Sequence, residues 1–71
     1  MIDVKAYRPG AYVTVNGQAY YILSVRIELA ESGMSYEMVQ LLTLLAVDAE
    51  GNDLGKDSIS VNIDMYDIVE H

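Results

Sequence analysis

YYILSVRIELAESGMSYEMVQLLTLLAVD, running from Tyr20 to Asp48, is the stretch on which the reading of the chain turns. Two mostly apolar runs flank Glu31-Ser32-Gly33-Met34, and a two-residue turn at Ser32 and Gly33 joins them as one long β-hairpin. In that register Leu29 faces Tyr36, Ile27 faces Met38, Val25 faces Gln40, Leu23 faces Leu42 and Tyr21 faces Leu44. Nearly every apolar side chain near the tip then falls on one face. A slip of one residue sets Ile27 opposite Glu37 and mixes the faces, because side chains alternate with period two along a strand.

The second run also fits a helix from Ser35 to Glu50. Met38, Leu41, Leu42 and Leu45 recur at helical spacing, Glu37, Gln40 and Thr43 turn away from them, and Gly51 stands where a C-terminal cap would. The strand is the stronger reading. The matched faces across Ser32-Gly33 require it, and Asp48-Ala49-Glu50-Gly51-Asn52 serves equally well as a turn after a strand.

Outward from the hairpin the signals remain those of short strands. Ile2, Val4 and Ala6 alternate within Met1 to Tyr7 as an edge strand or arm would, and Arg8-Pro9-Gly10-Ala11 reads as a β-turn. Tyr12-Val13-Thr14-Val15 is rich in β-branched and aromatic residues, and Asn16-Gly17 is a strong hairpin signal that places Val13 opposite Tyr20 and Val15 opposite Gln18. The strand beginning near Gln18 is therefore apolar through Tyr20 and Ile22 on one face, then through Leu23, Val25, Ile27 and Leu29 on the other. Such a strand bends and is shared by two halves of a small barrel. After a polar loop from Asp48 to Asp57, Ile59, Val61, Ile63 and Met65 alternate with polar residues, Asp64 to Asp67 forms a tight turn, and Ile68-Val69 closes the chain as a short strand. The fold class expected is all-β, a small antiparallel barrel or meander with one long central hairpin, and α+β if the run from Ser35 to Glu50 is helical. The layout resembles that of SH3-like small barrels; the resemblance rests on the order of elements and on no motif, and that superfold hosts many unrelated functions.

With 71 residues, the chain is expected to form one small domain, residues 1–71, with a narrow stability margin. It has no cysteine for a disulfide and a single histidine, His71, so neither a disulfide framework nor a zinc cluster reinforces the core, and oligomerisation is the remaining remedy. An apolar fraction of 52% supplies enough buried surface to fold, and no run reaches the roughly 18 apolar residues of a membrane span, so a cytoplasmic setting is expected. The net charge of −7 is unevenly placed. Residues 1–26 hold Lys5, Arg8 and Arg26 against Asp3, and residues 27–71 hold ten carboxylates against Lys56. That imbalance disfavours direct binding to nucleic acid or an anionic membrane and is compatible with a basic protein partner.

Templates for site chemistry fail on inspection. An EF-hand pattern begun at Asp48 meets Asp53 where glycine is required and Ile59 where the bidentate glutamate belongs; begun at Glu50 it sets Leu54 and Val61 at ligand positions. Gly51 to Ser58 has the wrong glycine spacing for a phosphate-binding loop and Asp57 where a hydroxyl is needed. His71 is terminal and expected to be mobile, which leaves no placed base for nucleophilic catalysis. The chain is expected not to be an enzyme and to need no cofactor or metal.

Length makes the hairpin the functional suspect. Two strands of about 12 residues span about 40 Å, whereas a compact domain of this size has a radius of gyration of roughly 11 Å and a diameter near 28 Å. The overhang carries Ile27, Leu29, Tyr36 and Met38 on one face, the expected interface. On the other face Glu28 and Glu37 are expected directly opposite one another, with Arg26 diagonal to Glu37. Two functions follow. The first is a non-enzymatic interaction module that self-associates or docks on a protein partner through the hairpin. The second is an acidic inhibitor of the kind phages encode, imitating nucleic-acid charge through Glu28, Glu31, Glu37, Asp48, Glu50, Asp53 and Asp57. A small-molecule site between subunits, lined by tyrosines, is a weaker third.

Overall fold

A computed structural model of the chain describes residues 7–71, so the arm or strand expected from Met1 to Ala6 lies outside the described residues. Among the described residues five strands follow one another: β1 (Tyr12–Val15), β2 (Gln18–Ser32), β3 (Ser35–Ala46), β4 (Ile59–Asn62) and β5 (Ile68–Glu70), with one 3₁₀ turn at Ile63–Met65 before the last. They form a single antiparallel sheet in the order β4-β3-β2-β1-β5. The sheet is open, with β4 and β5 at its two ends. The helix considered for Ser35 to Glu50 is overturned, because β3 occupies residues 35–46. Cross-strand pairing over the whole of β2 outweighs the helix propensity of leucine and methionine, a case of tertiary context deciding an ambiguous pattern.

The turns follow their residue chemistry. Ala11 N–H donates to the Arg8 carbonyl at 3.2 Å, with Pro9 and Gly10 central and Gly10 at φ 90°, the form of a type II turn. Asn16 and Gly17, at φ 51° and 82°, join β1 to β2 as a type I′ pair. The long hairpin turns one residue later than expected: Ser32 pairs with Ser35, so Gly33 and Met34 are the central residues. Only Gly33 of these two has positive φ, at 63°. A turn at Ser32-Gly33 would need left-handed φ at both positions, which serine disfavours, whereas glycine first and any residue second meets the type II′ requirement.

That later turn shifts the whole register by two residues. Leu29 faces Met38, Ile27 faces Gln40 and Glu31 faces Tyr36. Because the shift is even, the residues expected to share a face still do so. Toward the base, a β-bulge between Ile22 and Ser24 leaves Leu23 without a partner on β3 and sets Ile22, not Tyr21, opposite Leu44. The bulge is the physical form of the change of face that the apolar pattern of β2 demanded.

The core lies on the face formed by Val13 and Val15 of β1, Ile22 of β2, Leu42 and Leu44 of β3, and Val61 of β4, closed by Tyr7. Val13, Ile22, Leu42 and Leu44 have no exposed surface, and Ala11, Tyr20, Val25, Ile63 and Ile68 pack around them. Burial, and then the charge of Glu70, push the Tyr7 phenol above its ordinary value. His71 is not loose: its N–H donates to the Tyr12 carbonyl at 3.2 Å and its Nε2 contacts Thr14 Oγ1, extending the β1–β5 pairing by one residue.

Candidate interaction surface

Neighbouring strands support only the base of the long hairpin. β1 pairs with residues 18–21 of β2, and the Ile22 N–H donates to the Ala11 carbonyl at 2.9 Å; β4 pairs with residues 41–44 of β3. Beyond those positions β2 and β3 pair, among the described residues, only with each other, although Arg26 reaches Ser60 of β4 and Val39 and Gln40 are buried. The molecule measures 43 × 23 × 19 Å with a radius of gyration of 13.0 Å, longer than a compact chain of its size, as the projecting arm requires.

The core face of the sheet continues along this arm. Val25 still packs against the core, and the next residues in its row, Ile27 and Leu29, are 50% and 63% exposed. Across from them, Met38 and Tyr36 are 45% and 67% exposed. The four expected interface residues are thus brought together on one face, Leu29 directly opposite Met38 and diagonal to Tyr36. Met34 stands at the tip, fully exposed.

On the other face of the arm the expected opposition of Glu28 and Glu37 is corrected. Glu28 faces Val39 and Glu37 faces Ala30, a consequence of the later turn. Arg26 pairs with Glu28 on its own strand, Nε to Oε1 at 3.1 Å, and its Nη2 donates to Ser60 Oγ at 3.3 Å. Residues two apart on a strand share a face, so the sequence contained this pair.

The acidic residues fall into two groups. Glu28, Glu31 and Glu37 lie on the arm, and Asp48, Glu50, Asp53 and Asp57 follow the base of β3. The Glu50 and Asn52 N–H groups both donate to Asp48 Oδ1 at 2.9 Å, which holds the Asp48 carboxyl below its ordinary value of 3.8. Asp53 Oδ1 accepts the Gly55 N–H at 2.7 Å. These two carboxylates therefore shape the loop, a use of aspartate common in turns. The loop docks back on the sheet, as the Gln18 side-chain amide donates to the Val47 carbonyl at 2.9 Å and Leu54 N–H to the Ala46 carbonyl at 3.1 Å.

Beside the loop is an open groove of about 480 Å³ lined by Tyr12, Thr14, Ala19, Asp48, Gly51 and His71, among others. Tyr12 meets Tyr21 edge-to-face, with ring centroids 5.4 Å apart. Tyr12 also leans over Gly51: a Cβ at that position would stand 3.2 Å from the phenol oxygen, a tight contact, and its φ of 86° strains any other residue. Among the described residues no group of three or more His, Cys, Asp or Glu side chains is placed to hold a metal ion, and no helix is long and apolar enough to cross a membrane. No protein family, no curated protein and no solved structure matches the chain.

Proposed function

We propose that the chain is a non-enzymatic protein–protein interaction module, SH3-like in layout and cytoplasmic, that self-associates through the projecting β2–β3 arm. One observation carries this reading: the face that is core at the base of the hairpin runs on along the arm as Ile27, Leu29, Tyr36 and Met38, each about half exposed or more. A contiguous apolar patch bordered by charge, here Glu31 beside Tyr36 at the tip, is characteristic of surfaces that meet another chain. Four such side chains fall short of the roughly 800 Å² per partner of a standard interface, so association in the micromolar range or weaker is expected. Light scattering or sedimentation tests it. The wild type associates reversibly with concentration, and Ile27→Lys shifts it to monomer without changing its circular dichroism. A wild type monomeric at millimolar concentration overturns the reading.

Mimicry of nucleic-acid charge is the second reading, supported by one acidic group on the arm and another in the loop after β3. Asp48 and Asp53 are already engaged by the backbone, which weakens it. It predicts binding to a basic partner that falls steeply with salt and is lost on charge reversal at Glu50 and Asp57.

A further inference from the structure

Among the described residues, no strand lies along the β2 edge of the arm. Resting on the self-association reading above, we infer that two copies join edge to edge along β2, antiparallel, with Ile27 of each copy on the two-fold axis.

The backbone supplies the first part of the case. Ser32 and Ser35 flank a two-residue turn, so they are a mutually hydrogen-bonded pair, and bonded pairs alternate from there along an antiparallel ladder. Ala30, Glu28, Arg26 and Ser24 thus direct N–H and C=O toward β3. Val25, Ile27, Leu29 and Glu31 direct theirs away from it, to an edge that no described strand covers. An edge of this length is a template for another strand unless it is blunted, and residues 23–32 hold no proline and no lysine.

Side chains select the register. Centring the pair on Ile27 sets Arg26 opposite Glu28 of the second copy, and Glu28 opposite Arg26 of the second copy. On the apolar face Ile27 meets Ile27 and Val25 meets Leu29 of the second copy. A two-fold interface must be complementary to itself, and this register meets that requirement on both faces. Centring on Glu28 or on Arg26 opposes like charges, and centring on Leu29 puts Ile27 against Glu31. The outward backbone groups of Val25, Ile27 and Leu29 form the bonded pairs, which leaves Arg26 and Glu28 at the closer, non-bonded positions where opposed side chains interact best. The outer edge of β3 has no such solution, since residues 35–40 hold Glu37 and no cation.

A charge-swap cycle read by sedimentation equilibrium tests the inference. Arg26→Glu and Glu28→Arg each oppose like charges twice across the axis and are expected to weaken association about tenfold. The double variant restores the pairs and the net charge of −7, and with them the wild-type dissociation constant. Tyr36→Glu, on the apolar face but off the β2 edge, is expected to change it less than about threefold. If both single reversals leave association intact and Tyr36→Glu abolishes it, the edge pairing is overturned while self-association through the face of the arm stands. A double variant as weak as the singles also overturns the pairing, and absence of any wild-type association removes both.

Discussion

The two halves of the long hairpin are made of similar residues and meet different fates. At the base, Ile22, Leu42 and Leu44 are fully buried; along the arm, Ile27, Leu29 and Met38 continue the same face and are about half exposed. Strand propensity, alternation and pairing do not distinguish them. What differs is the presence of neighbours: β1 and β4 flank the base, and together with Tyr7, Ile63 and Ile68 they complete a core that the arm lacks. A period-two pattern therefore states which face is apolar, and only the packing of other elements states whether that face is covered.

Truncation gives the sharpest contrast between the halves. Leu42→Ala is expected to cost about 2–5 kcal/mol in urea unfolding, because it opens a cavity that rigid neighbours cannot fill. Leu29→Ala, measured below the concentration of association, is expected to cost less than about 1 kcal/mol; equal losses would mean that the arm is as tightly packed as the base. Changes to the turn should give an intermediate effect. Gly33→Ala places a side chain at φ 63° with nothing within 4 Å of its Cβ, so the cost is backbone strain alone, on the order of 1 kcal/mol. Amide exchange should place that loss in the arm and leave the base protected. The smallest effect belongs to the loop at the base. Asp48 has a lowered pKa in the fold, so its contribution is present above the unfolded-state value and is lost as pH falls through the folded one. The Glu50 and Asn52 amide resonances should therefore titrate with a midpoint below 3.8. A midpoint at or above that value would show that the Asp48 bonds are not kept in solution.

The pairings that failed toward the tip share one local reason, and those at the base were changed further by the bulge between Ile22 and Ser24. A turn set at Ser32-Gly33 instead of Gly33-Met34 displaced the tip register by two residues, and with it came the false opposition of Glu28 and Glu37. The conformational demand of a type II′ turn was readable in the sequence, since glycine, not serine, tolerates its first position. Ile27, Leu29, Tyr36 and Met38 still share a face because an even shift preserves faces. The bulge at Leu23 was legible as a change of apolar face between Ile22 and Val25, and the helix ambiguity of residues 35–46 had no local solution.

By itself, the sequence determined the strands, their turns, the apolar face of the hairpin and its excess length, all properties of a few adjacent residues and their alternation. Tertiary structure alone decided that β5 joins β1, that β4 stops at Leu41 and that Ile27, Leu29, Tyr36 and Met38 stay exposed among the described residues. Those outcomes depend on contacts between segments far apart in the chain, where no local preference records how far a neighbour will reach.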